Sequence, residues 1–123
     1  VTKIAIATAA FTSLFLLAST AAKAADLACQ PTEVAEMFSN RVHVRCANTL
    51  SVKNPLTGDI NVIEYVAVST TNTERANRFI TLANTALTSG KVFLVGIPLS
   101  SATNASGCSV ANCRTPDSFR LMK

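Results

Sequence analysis

Three residues in one short stretch could do chemistry together. In "FSNRVHVRCAN", residues 38–48, Arg41, His43 and Arg45 fall on every second position, with Val42, Val44 and Cys46 between them. Side chains alternate faces along a strand, so the three basic groups share one face and the apolar set shares the other. Neighbours on such a face stand roughly 7 Å apart, a spacing that suits carboxylates, phosphates or an acidic sugar. His43 is the only histidine in the chain. A solvated strand face with Glu33, Glu36 or Glu64 as ion partners gives the same pattern without a ligand.

Hydrolytic chemistry has little to work with. A nucleophilic triad would have to run through His43 and a serine that the sequence does not bring to it. Glu64 is an unusual carboxylate inside an apolar run, but Asp59, five positions away across a loop boundary, is no acid partner for it. A small hydrolase using Glu64 or His43 is the competing expectation, and a pocket gathering either with a serine or second carboxylate would favour it. There is no Gly-rich phosphate loop and no metal-ligand spacing, so neither a metal nor a cofactor is expected. Asn104-Ala105-Ser106 has the form of a glycosylation sequon.

The four cysteines, Cys29, Cys46, Cys108 and Cys113, carry the other chemistry. Redox catalysis of the thioredoxin kind uses Cys-x-x-Cys, whereas "CSVANC" has four intervening residues. Structural zinc needs four clustered ligands, which this spacing does not offer. An even count in a small exported domain reads as two disulfides with three possible pairings. The favoured set is Cys108–Cys113, closed through a turn eased by Gly107, and Cys29–Cys46, tying the N-terminal segment to a strand. Loop-closure entropy gives about 2 kcal/mol for the first and about 3 kcal/mol for the second.

Export is itself an expectation from the first residues. Lys3 precedes the uncharged run "IAIATAAFTSLFLLA", and Ala22-Lys23-Ala24 follows, which is the order of a secretory signal peptide over residues 1–24. The apolar run is shorter than the roughly 20 residues of a membrane span. Removing it takes Lys3 and Lys23 from the eleven Lys and Arg, leaving nine against seven Asp and Glu. So weak and dispersed a charge does not fit nucleic acid. What is left, residues 25–123, suits one small periplasmic or secreted domain with no membrane anchor.

The elements that must position the basic row follow in order. Residues 38–48 read as a strand, 49–59 as a loop rich in turn residues, and "INVIEYVAVST", 60–70, as a central strand. Thr71 to Glu74 has the form of a capping box with Thr71 as the cap. Ala76, Phe79, Ile80, Ala83, Ala86 and Leu87 then recur at helical spacing, and Gly90 stops the helix. "KVFLVGIP" is another strand, "LSSATNASG" a flexible polar loop, and residues 117–123 a closing strand. The result is an α+β domain: a mostly antiparallel sheet with one helix before the last strands.

"FSNRVHVRCAN", "RFITLANTALTSGK" and "GCSVANCR" together resemble a family of small exported bacterial proteins whose activity is uncharacterised. Over residues 72–114 the layout is also similar to the B subunits of subtilase-type bacterial toxins, where a helix ends in a Thr-Gly or Ser-Gly step before a strand and a close cysteine pair follows. "LTSGKVFLVGIP" and "CSVANC" occupy those places. The resemblance implies an OB-like fold. Those subunits form glycan-binding pentamers, but none of their glycan-binding residues has a match here, and the chain has no tryptophan. The expected function is a non-catalytic binding or interaction module on an OB-like, disulfide-stapled scaffold. Its partner would be an anionic small molecule, a glycan or a protein, and it could be oligomeric.

Overall fold

A computed structural model describes residues 23–123, and the signal-peptide expectation therefore lies outside the described residues except for Lys23 and Ala24. The fold is α+β, with seven strands and one helix among the described residues and both expected disulfides. The strands are β1 (Lys23–Cys29), β2 (Pro31–Met37), β3 (Arg41–Lys53), β4 (Ile60–Ser69), β5 (Val92–Pro98), β6 (Cys113–Arg114) and β7 (Ser118–Met122); α1 (Thr73–Ser89) lies between β4 and β5. They form two sheets in the orders β1-β5-β7 and β2-β3-β4-β6. All pairings are antiparallel except the short parallel contact of β4 with β6.

β1 and β2 form one extended run with a corner at Gln30, so a single stretch of chain belongs to both sheets. Reading across it gives β7-β5-β1, then β2-β3-β4, the strand order of an OB-like barrel left open because β7 does not pair with β4. The corner is fixed by Asn48, whose side chain accepts from Gln30 N–H (3.0 Å) and donates to the Ala28 carbonyl, and by the Ala47 N–H on the Gln30 carbonyl (2.8 Å). Cys29–Cys46 crosses at the same place, with its Cα atoms 5.1 Å apart.

The core sits between the sheets and the helix. Val42, Val44 and Cys46 point into it as their alternation requires, meeting Ile63, Val66 and Val68 of β4 and Phe93, Val95 and Ile97 of β5. Phe79 of α1 packs edge-on against Phe93 (5.4 Å) and Phe119 of β7 (5.2 Å), joining helix to sheet. Arg75 holds the same junction, its guanidinium 5.0 Å over the Phe119 ring and donating to the Pro116 carbonyl at 2.8 Å. Ala76, Phe79, Ala83 and Ala86 are the buried stripe of α1; Leu87, expected in it, is exposed at the last turn.

Three local expectations are corrected and one strand is added. The helix cap is Asn72 rather than Thr71: the Asn72 side chain accepts from Arg75 N–H at 3.0 Å, while Thr71 Oγ1 bonds Ser69 Oγ and Glu74 pairs with Arg78. At the other end Gly90 is the left-handed cap at φ 69°, donating to the Ala86 carbonyl. Residues 49–53 belong to β3, because Val52 turns inward; only 54–59 form the connection, organised by the buried Asn54. β2, unassigned in the sequence, pairs along β3 from Pro31↔Cys46 to Met37↔Arg41. Finally, the loop after β5 is folded down rather than flexible. The Asn104 amide donates to the carbonyls of Cys108 (3.2 Å) and Cys113 (3.1 Å), and its Oδ1 accepts from Thr115 N–H.

Candidate functional site

That folded-down loop makes the site. Ala105, Cys108 and Cys113 pack on Ala67 and against Tyr65, a small second core on the outer face of the β2-β3-β4-β6 sheet. The Cys108–Cys113 bridge, with its Cα atoms 5.3 Å apart, closes the turn standing over this face. Between the turn and the outward row of β3 lies a crevice of about 200 Å³. Arg41, His43 and Tyr65 line it from the sheet; Gly107, Ser109, Asn112 and Cys113 line it from the turn.

Tyr65 reaches the outer face through a β-bulge. The N–H groups of Glu64 and Tyr65 both donate to the Asn112 carbonyl, at 2.9 and 3.0 Å, so two successive side chains leave the strand on the same side. Ile63 before them and Val66 after them are both fully buried. One carbonyl of the stapled turn thereby fixes both Tyr65 and Glu64 in place.

The basic row lies on the outer face as its alternation requires, but its three members have different surroundings. Arg45 is outside the crevice lining: its Nε donates to Glu64 Oε1 at 2.8 Å, and its guanidinium lies 5.9 Å from the Tyr65 ring centre. The hydrogen bond and charge of Glu64 hold the Arg45 guanidinium above arginine's usual range. His43 is nearly enclosed, its side chain 13% exposed, with Nε2 2.5 Å from Glu33 Oε1 of β2 and its ring 5.3 Å from Tyr65. Arg41 has no carboxylate partner among the described residues. Its Nη1 donates to Asn40 Oδ1 (3.2 Å) and, at 3.4 Å, to the Ser106 carbonyl.

The turn is shaped around that guanidinium. Gly107 has φ 81°, and a Cβ there would sit 2.7 Å from Arg41 Cζ and overlap Nη1. Glycine is therefore favoured by the backbone, and its lack of a side chain is what lets the Arg41 guanidinium approach this closely. Across the crevice the Ser109 hydroxyl, the Asn112 side-chain amide and the Tyr65 hydroxyl have no hydrogen-bond partner among the described residues. The arrangement offers one uncompensated cation, an aromatic ring and three free polar groups to a small solute.

Tyr65, Ser109 and Asn112 carry no sequence signal of their own, because they reach the site through a bulge and a loop fold. Glu64, expected as a possible acid, is not in the crevice lining and faces Arg45. Arg114, beside the site, is fully buried and donates to the carbonyls of Val110 (2.7 Å) and Cys113 (2.8 Å) and to Asn61 Oδ1 (2.8 Å). Burial pushes its guanidinium below the usual range. It pins the turn to β4 from behind. Among the described residues no group of three or more His, Cys, Asp or Glu is placed to hold a metal, and no helix is long and apolar enough to cross a membrane. Compared with protein-family models, curated proteins and solved structures, the chain matches none.

Proposed function

We propose that this chain is an exported, non-catalytic binding module that takes a small anionic group into the crevice between β3 and the stapled turn. The observation that carries it is Arg41, a half-buried residue whose guanidinium lines a built crevice and has no carboxylate partner among the described residues. A carboxylate, sulfate or phosphate ester is the chemistry such a group receives, through charge-assisted hydrogen bonds. Ser109 and Asn112 supply donors and acceptors for the rest of a polar ligand. The anion's carrier is a small molecule or an acidic glycan, the latter being what the likeness to toxin B subunits suggests. Two disulfides in so small a domain support a periplasmic or secreted location.

The test is an NMR titration of the isotope-labelled protein with acetate and with inorganic phosphate. Amide shifts should concentrate at residues 41, 43, 65, 109 and 112. Arg41→Gln should weaken binding by about ten- to a hundredfold, the scale of one hydrogen bond to a charged group. Arg45→Ala should leave it nearly unchanged, because Glu64 already holds that side chain. Equal loss in both variants, or no localised shifts in the wild type, refutes the proposal.

A second reading is favoured by one observation: His43 and Ser109 line the same crevice, and Glu33 engages the imidazole. A carboxylate, an imidazole and a hydroxyl around one crevice are the parts of an acyl hydrolase, although the Ser109 hydroxyl makes no hydrogen bond to His43 in this structure. A fluorophosphonate probe should then label Ser109 and fail to label Ser109→Ala. Absence of labelling in the wild type removes this reading and leaves the binding module.

A further inference from the structure

The β2–β3 turn carries two costs that its own fold does not explain. Its central residues, Phe38 and Ser39, both have positive φ, 54° and 58°. That conformation, used by tight hairpin turns, is one that Asn and Gly adopt readily and that a bulky side chain opposes. Phe38 is also 83% exposed, the most exposed of the large apolar side chains among the described residues. Yet the turn is firmly held. Asn40 N–H donates to the Met37 carbonyl at 3.3 Å, Thr70 N–H to the Asn40 carbonyl at 3.1 Å, and Thr70 Oγ1 to the Ser39 carbonyl at 3.0 Å. An aromatic ring is thus presented to solvent from a hydrogen-bonded turn at a strained position, the kind of outlier that points to use rather than packing.

What lies beside it identifies the use. The Arg41 guanidinium is 5.7 Å from the Phe38 ring centre, so the exposed ring and the crevice's uncompensated cation are adjacent. We propose that Phe38 is a second contact for the crevice's ligand, which is a ring bearing an acid group: the ring lies against Phe38 while the acid reaches Arg41. This rests on the anion-binding reading above and extends it by naming the ligand's shape. Aromatic faces stack on the flat apolar side of sugars and on aryl rings alike, so the shared chemistry is a ring with an appended carboxylate or phosphate.

Methyl glucuronide and phenyl phosphate serve as ring-bearing probes, with acetate and inorganic phosphate as their ringless counterparts. In the wild type each favoured ring probe should bind about tenfold more tightly than its ringless counterpart. An advantage for the glucuronide alone identifies a sugar acid, and one for phenyl phosphate alone an aryl acid. The double variant Phe38→Asn/Ser39→Gly should abolish the advantage while acetate and phosphate affinities stay within about twofold. The same variant should raise the urea midpoint, because it relieves the turn. Phe38→Ala, with the original Ser39, should also lose the advantage. The proposal is overturned if ring and ringless probes bind the wild type equally, if the variants keep the advantage, or if the double variant lowers the urea midpoint. Should acetate and phosphate fail to bind the wild type at all, the crevice reading falls and takes this proposal with it. Normal acetate and phosphate binding without a ring advantage overturns only the role of Phe38.

Discussion

Replacing Gly107 by alanine should separate the two demands made at that position. The backbone demand is φ 81°, where an L-residue costs about 1–2 kcal/mol relative to glycine. The steric demand is local to Arg41: the new Cβ would stand 2.7 Å from Cζ and overlap Nη1, whereas real Cβ contacts below 3.0 Å are essentially unknown. Because the obstructing atoms are the far end of a flexible side chain, the guanidinium moves and the turn stays. The overlap therefore adds little to the stability loss, which should remain about 1–2 kcal/mol in urea unfolding. Binding bears the larger effect. A displaced guanidinium loses its charge-assisted contact, so acetate and phosphate affinity should fall by about tenfold or more. A double-mutant cycle with Arg41→Gln isolates this: in the Arg41→Gln background, Gly107→Ala should cause little further loss of binding yet keep its cost in stability. Refutation would be a Gly107→Ala protein that is destabilised as expected but binds both anions as the wild type does. Arg41 would then not be the anion's partner.

Arg114→Met should lower stability by about 2–3 kcal/mol, since it strips donors from the Val110 carbonyl and Asn61 while relieving a buried charge; urea unfolding measures it. Converting Cys29 and Cys46 to alanine should cost about 3 kcal/mol, and converting Cys108 and Cys113 about 2 kcal/mol, yet only the second pair should also impair anion binding. Asn72→Ala should lower stability by about 1 kcal/mol and Thr71→Ala by much less, as paired thermal melts would show. If residues 1–24 are a cleaved leader, intact mass of the protein from its native cell should correspond to a start at Ala25 or within two residues of it, and a mass retaining residues 1–24 would defeat that expectation.

The parts of this fold that declare themselves in sequence are those with a strict period. Arg41 to Cys46 alternates and forms the strand it spells; Ala76, Phe79, Ala83 and Ala86 repeat at helical spacing and form the buried stripe. Pairing of the four cysteines followed from proximity in sequence for Cys108 and Cys113, which left Cys29 to Cys46. Periodicity fails where the backbone breaks it. The Glu64–Tyr65 bulge puts neighbours on one face, so Glu64 reads as a carboxylate stranded in an apolar strand when it is simply turned outward onto Arg45. The extra residues of β3 between Arg45 and Leu50 disguised its second half as loop. Thr71 and Asn72 are adjacent capable caps, and only the entry direction of the chain chooses between them. The crevice was half legible. Its basic wall lies in one alternating strand, but its other wall depends on Asn104 and Arg114 folding a polar loop back over β4, and no local pattern encodes that return.

The run that turns the corner at Gln30 also sets an order of assembly. β2, β3 and β4 are joined by short connections and can pair among themselves soon after collapse, with α1 following directly. β1 cannot: Leu27 faces Val95 and Cys29 faces Phe93, partners more than sixty residues further along. Contacts at such separation form late because a long loop must close first. Until β5 arrives, β1 is an unpaired strand carrying Leu27, and hence a site for mispairing. Cys46 is available much sooner, 17 residues from Cys29. Oxidation of that pair would moor β1 beside β3 before its own sheet exists, shortening the search that β5 must complete. In reducing refolding conditions, docking of β1 onto β5 should be the slow step.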